Sequence, residues 1–212
     1  MKRVLGVLAG TDMRLRQIEA WAKSADVVLA ADGGANGLHE LGIKMHAAIG
    51  DFDSITPQAR ISPDEIVFNP DQDRSDCDKL LDFAQDRGYS AITLCNIEGD
   101  LLDHVLGTLQ SAAKAKLEVR FALRRGLGYI LRADRRCEFA AVPGSRLSLI
   151  PLNDCANVHL EGVFWSLSGQ SLSPGSRLSL SNRVTEPQVS VRLDAGLAAL
   201  FLFGDEYTEP SW

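Results

Sequence analysis

The alternation of two textures through the first 123 residues constrains the fold more than any other feature. Apolar runs rich in β-branched residues recur at 3–9, 25–31, 47–49, 66–68, 91–95 and 118–123. Helical spacing lies between several of them. Leu15, Ile18, Trp21 and Ala22 share a face within 12–24, a short helix fits 36–41, and Cys77, Leu80, Leu81 and Ala84 share a face between Ser75 and Gly88. Another helix fits 103–116. Strand–helix alternation at this spacing predicts βαβ units and a mainly parallel, Rossmann-like sheet. In such sheets ligands bind outside the carboxyl ends of the strands, where Asp32, Asp51, Asp53, the 71–76 loop and Gly99-Asp100 fall.

The texture changes after Arg124-Arg125-Gly126. Short alternating runs such as Arg146-Leu147-Ser148-Leu149-Ile150 follow, separated by Gly, Pro, Asn and Ser, with no helical period. The expectation is an α/β domain over 1–125 and an all-β sandwich domain over 126–212.

The acidic stretch from Ile49 to Asp78 carries the chemistry. Gly50-Asp51-Phe52-Asp53-Ser54 and Asp71-Gln72-Asp73-Arg74-Ser75-Asp76-Cys77-Asp78-Lys79 gather carboxylates that repel one another unless a cation holds them. If the chain stays extended at 51–53, both aspartates face one side; aspartates also commonly close strands and open turns. An EF-hand is excluded because Asp76 stands where its loop needs glycine and Asp82 where it needs glutamate. Asp78, three residues after Ser75, completes a capping box. Lys79 can pair with Asp76 or meet a phosphate, or be an ordinary helix lysine. Asp103 reads as a helix cap, and the glycines of Asp32-Gly33-Gly34-Ala35-Asn36 let backbone approach a ligand.

The net charge of −6 leaves no basic footprint, so nucleic acid is not an expected partner. The apolar run at 3–9 is too short for a membrane span, and a helix after it argues against a signal peptide. Cys77, Cys95, Cys137 and Cys155 form no C-x-x-C pair and read as buried free thiols of a cytoplasmic protein.

Asp-Gly-Gly-Ala-Asn at 32–36, Gly-Asp-Phe-Asp-Ser-Ile at 50–55, Asp-Gln-Asp-x-Ser-Asp-x-x-Lys at 71–79 and Asp103-His104 occur in that order. A β-rich tail with Trp165-x-Leu167 and Ser181-Asn182 follows. This set resembles the thiamine pyrophosphokinase family along nearly the whole chain. The resemblance implies a catalytic α/β domain, a thiamine-binding β-sandwich, and a homodimer with sites at the subunit interface. It implies Mg²⁺-dependent transfer of the diphosphoryl group of ATP to the hydroxyl of thiamine. By that match Asp51, Asp53 and Asp76 hold Mg²⁺, Gln72 and Asp73 line the nucleotide or hydroxyl side, and Lys79 faces phosphate. Asp32, Gly33, Gly34, Asn36, Ser75, Asp103 and His104 fall on the nucleotide side, and Trp165, Ser181 and Asn182 at the thiamine pocket.

The chain departs from the family pattern twice. Gly99-Asp100-Leu101 replaces Gly-Gly-Arg, exchanging a cation for a carboxylate and leaving Lys79 and Arg74 as the cations of the acidic stretch. Trp165-Ser166-Leu167 replaces Trp-Pro-Leu. A catalytically impaired thiamine- or nucleotide-binding relative, or a metal-dependent phosphoesterase using the carboxylates to activate water, fits the same residues.

Overall fold

A computed structural model describes residues 1–56, 62–99, 101–133, 135–204, 210 and 212. The chain divides into two compact units, Met1–Arg124 with Thr208–Trp212, and Arg125–Tyr207. Strands of unit 1 are β1 (Val4–Val7), β2 (Val27–Ala31), β3 (Ala47–Gly50), β4 (Glu65–Phe68), β5 (Ala91–Cys95) and β6 (Glu118–Leu123). Its helices are α1 (Leu15–Ser24), α2 (Gly34–Glu40), α3 (Asp76–Asp86) and α4 (Leu102–Lys114). Every strand pairs in parallel, in the order β6-β5-β1-β2-β3-β4. The chain runs outward from β1 through β4 and then returns to β1's other side. The direction of winding therefore switches between β1 and β5, the place where open α/β sheets bind ligands at the carboxyl ends of their strands.

The expected elements are all present, with shifted ends. Helix α1 begins at Leu15, because Arg14 is extended and caps with Gln17, whose Oε1 accepts the Arg14 N–H at 3.3 Å. Asp12, expected inside the helix, instead accepts the N–H of Glu98 at 3.1 Å and ties the β1 loop to the β5 loop. Ser75 caps α3 as its sequence predicts: its Oγ accepts the Asp78 N–H at 3.1 Å and Asp78 Oδ2 accepts the Ser75 N–H at 3.2 Å. Asp103 is not the cap of α4; Leu101 holds that place, and Asp103 lies in the first turn. There its negative charge complements the helix dipole.

The core of this unit centres on Trp21, Leu5, Leu80, Leu94 and Phe121, all under 2% exposed. Trp212 closes it from the chain's far end, edge-on to Trp21 at 5.3 Å with its indole N–H donated to Ser24 Oγ at 3.0 Å. Gly34 is fixed by packing, since a Cβ there would lie 2.2 Å from the Val7 carbonyl oxygen. Gly33 likewise abuts Ala9 and Ser54. These glycines allow α2 its close packing, and Gly33 sits against two residues, Ala9 and Ser54, that line the cleft described below.

Unit 2 is an antiparallel sandwich. Strands β7 (Gly126–Arg132), β9 (Arg146–Pro151), β12 (Ser179–Arg183) and β14 (Leu197–Phe203) form one sheet in the order β12-β9-β14-β7. Strands β8 (Arg136–Ala140), β10 (Cys155–Glu161), β11 (Leu167–Leu172) and β13 (Gln188–Arg192) form the other in the order β11-β10-β13-β8. Leu147, Leu149 and Leu200 meet Val158, Leu160, Val189 and Val191 between them. None of the four cysteines is in a disulfide; Cys137 is half-buried rather than buried. Burial pushes the Cys77 thiol up to about 12, which makes it unreactive. Among the described residues no helix is long and apolar enough to cross a membrane.

Gly34→Ala drives a methyl into backbone and lowers the unfolding free energy measured by urea titration by about 2 kcal/mol, or prevents folding. Gly107→Ala, in α4 with nothing within 4 Å of its Cβ position, raises stability by about 0.5–1 kcal/mol. Glu98 is an exposed residue whose carboxyl is raised above the ordinary glutamate range, first by partial desolvation and also by neighbouring Asp12, with the Arg124 N–H opposing. A raised carboxyl favours the fold below its unfolded pKa, and that contribution is lost as pH rises through the folded value. Urea unfolding across pH 4 to 8 should therefore show Glu98→Gln gaining on the wild type as pH rises.

Candidate active site

A cleft of about 500 Å³ occupies the crevice at the carboxyl ends of β1, β2 and β5. Leu8, Ala9 and Ile97 supply apolar lining, the N-terminus of α3 one wall, and the first two turns of α4 another. Asp103, His104, Gly107 and Thr108 line it along one face of α4. The last two were legible from the i+4 spacing to the aspartate and histidine.

Asp32 is the most constrained residue here. It closes β2 with a left-handed φ of 40° and is 2% exposed. Gly50, at a φ of 151°, makes this possible: a Cβ there would sit 2.9 Å from Asp32 Cβ. Oδ1 of Asp32 is buried without a hydrogen-bond partner. Burial raises its carboxyl above the usual range, the charges of Asp76 and Asp53 raise it further, and the Ser54 hydroxyl opposes them.

Asp51 and Asp53 join Asp32, with one carboxylate oxygen from each lying within 4.8 Å of the others. They arrive by a different route from the extended segment the sequence suggested. Phe52 is left-handed at a φ of 65°, and the Asp53 N–H reaches back to Asp51 Oδ1 at 3.4 Å. Gln72 donates to Asp51 Oδ2 at 2.7 Å and holds that carboxyl below its usual range, with smaller help from Lys79. Asp73 is exposed, its N–H donated to Asp71 Oδ1 at 2.9 Å.

Asp76 lines the same cleft and acts on Asp32 electrostatically, but the close set of three contains Asp32 in its place. Its Oδ1 pairs with Lys79 Nζ at 3.1 Å. Lys79 is 4% exposed, a buried cation among acids. Arg74 is paired with Asp82. Leu101 is 66% exposed, and Asp100 lies outside the described residues. Lys79 is thus the cation that the structure sets among these carboxylates.

Asn36 faces the acidic loop. Its Nδ2 donates to the Ser54 carbonyl at 2.9 Å and its Oδ1 accepts the Thr56 N–H at 3.1 Å, so its amide holds the loop. Ser75 is engaged in its cap and shares a hydrogen bond with Ser111 Oγ at 3.3 Å. Asn96, which the sequence reading passed over, lines the cleft from the end of β5 with a left-handed φ of 61°; asparagine tolerates that region better than most residues.

An all-oxygen, multiply charged set suits a hard divalent cation such as Mg²⁺. The unpartnered buried oxygen of Asp32 fits the same group, because a lone buried carboxylate is otherwise costly.

In unit 2, Trp165 is 60% exposed beside an exposed Phe164, their rings edge-to-face at 5.0 Å. Ser181 is exposed with a left-handed φ of 53°. Asn182 is 1% exposed.

Comparison with known proteins accounts for both units. The model of the thiamin pyrophosphokinase catalytic domain matches residues 18–123, and that of the thiamin pyrophosphokinase vitamin B1 binding domain matches 129–198. A thiamine pyrophosphokinase of Bacillus subtilis is 26% identical over 200 residues, spanning 87% of this chain and 90% of that protein. A crystal structure of thiamine pyrophosphokinase from Bacillus subtilis superposes with a TM-score of 0.81 at 24% identity, covering 96% of this chain and 100% of that one. Thiamin pyrophosphokinase from Candida albicans gives 0.77 at 15% identity, over 95% and 90%. The structural likenesses show a shared fold, and the two domain matches place the chain in the thiamin pyrophosphokinase family.

Proposed function

We propose that this protein transfers the diphosphoryl group of ATP to the hydroxyl of thiamine, giving thiamine diphosphate and AMP, with Mg²⁺ held by Asp32, Asp51 and Asp53. The convergence of those three carboxylates carries the reading, with Asp32 lining the cleft and holding one buried oxygen that has no hydrogen-bond partner. Bound there, a hard divalent cation would neutralise charge on phosphate oxygens.

The chain's own residues supply the rest. Gln72 holds Asp51 in place and keeps it ionised. Lys79, buried against Asp76, is the fixed positive charge available to a transferring phosphoryl group and stands in for the arginine missing at Leu101. Asn36 keeps the loop that carries Asp51 and Asp53 against α2. The apolar lining of Leu8, Ala9 and Ile97 limits water, which would otherwise compete with the acceptor hydroxyl. Trp165 offers an aromatic face suited to the permanent charge of a thiazolium ring. Exposed apolar side chains at Leu102 and Leu106 of α4, and at Phe164 and Leu180, support a homodimer. Four cysteines with no disulfide among them fit a cytoplasmic setting.

Incubation of the purified protein with ATP, Mg²⁺ and thiamine, followed by chromatography, is expected to yield AMP and thiamine diphosphate in equal amounts. ADP, free phosphate or an absence of product would refute the assignment. Asp51→Asn should lower that turnover by roughly 10²–10³-fold while leaving the circular dichroism spectrum and thermal midpoint near wild type. An unchanged rate would remove Asp51 from the site.

A further inference from the structure

The side-chain amide of Asn182 has no capacity left for a ligand. Its Oδ1 accepts the N–H groups of Trp165 at 3.1 Å and Arg183 at 2.9 Å. Its Nδ2 donates to the Trp165 carbonyl at 2.8 Å and to Ser179 Oγ at 3.2 Å. Two acceptor sites and two donors exhaust what an asparagine amide offers. The residue is also 1% exposed, whereas the Trp165 side of the contact reaches solvent.

The same loop is strapped at two further points. The Phe164 N–H donates to the Arg183 carbonyl at 2.8 Å, and Val163 bridges Val184. The Arg183 guanidinium lies over the Phe164 ring at 5.2 Å. A tryptophan so exposed gains little from burial, yet its backbone N–H and C=O are both gripped by one buried side chain. That arrangement fixes the direction of the indole rather than the stability of a core.

We propose that Asn182 is a positioning residue, acting on substrate only through Trp165, which it presents as a preset aromatic face to a planar cationic heterocycle. This rests on the reading above that unit 2 receives thiamine. A preset face binds with less ordering on association than a free one. The direct substrate contacts in this region then fall to Trp165 and to exposed Ser181, whose own N–H is held by Ser148 Oγ at 3.1 Å.

Full-length protein labelled with 5-fluorotryptophan gives the first readout, with the Trp165 fluorine signal assigned by its loss in Trp165→Phe. Asn182→Ala should shift and broaden that signal while leaving those of Trp21 and Trp212 in place. Asn182→Asp, which keeps both acceptor contacts and loses the donation to the Trp165 carbonyl, gives the same test should the alanine variant not fold. The second readout is kinetic. Asn182→Ala should raise the KM for thiamine about tenfold, the size expected from one lost hydrogen-bonded constraint, with kcat within about twofold. In a Trp165→Ala background it should add nothing further, because two residues acting as one unit are non-additive. Full additivity in that double variant, or an unmoved Trp165 signal in both Asn182 variants, would overturn the proposal. A displaced signal in a protein whose wild type does not turn over thiamine would support Asn182's hold on Trp165 and refute the function proposed above.

Discussion

The burial of the Asp32 carboxylate governs the architecture of unit 1's functional end. Asp32 closes a central strand in a left-handed turn, with one oxygen sealed from water and bonded to nothing. A carboxylate in that position is strongly disfavoured unless it is neutralised by a proton or a cation. Its neighbours make the bare ionised form costlier still. Asp51 and Asp53 bring further negative charge to within ligand distance, and Gln72 keeps Asp51 ionised. Such a cluster stores electrostatic repulsion that a divalent cation relieves. Lys79, buried beside Asp76, offsets part of the charge and leaves the carboxylates poised rather than neutral.

Unit 2 solves a different problem with the same economy. Its sandwich core is ordinary alternating packing, and its distinctive feature is an aromatic pair held out toward solvent. Asn182 and Asn36 play parallel parts in the two units. Each uses its amide on the backbone of a loop that carries the reactive or recognising side chain. Rigid supports of this kind let short loops hold a geometry they could not hold alone.

Much of the fold is written locally, and those parts were legible. Strand and helix periods place every element of unit 1, and Ser75-x-x-Asp78 specifies its cap. The shifted ends have tertiary causes: Asp12 leaves α1 because the Glu98 N–H, distant in sequence, offers it a partner. The site was legible in its residues but less so in its grouping. Asp51 and Asp53 could be paired from spacing alone, although Phe52 brings them together by a left-handed turn. Asp32 joins them only because β2 and β3 are neighbours in the sheet, a relation that no spacing along the chain encodes. Gly34 carries the same lesson, since the partner that fixes it is the carbonyl of Val7 on another strand. The family resemblance alone placed Asn182 at the thiamine pocket, since Ser181-Asn182 by itself reads as a turn. Only its hydrogen bonds show that the amide is already occupied.

The central claim is that Asp32, Asp51 and Asp53 form one cation site serving phosphoryl chemistry. Electron paramagnetic resonance of Mn²⁺ titrated into the protein with ATP tests it most directly. Expected is one bound ion per chain in the wild type and loss of that ion in Asp32→Asn, with the variant's fold retained. Equal Mn²⁺ binding by both proteins would contradict the claim.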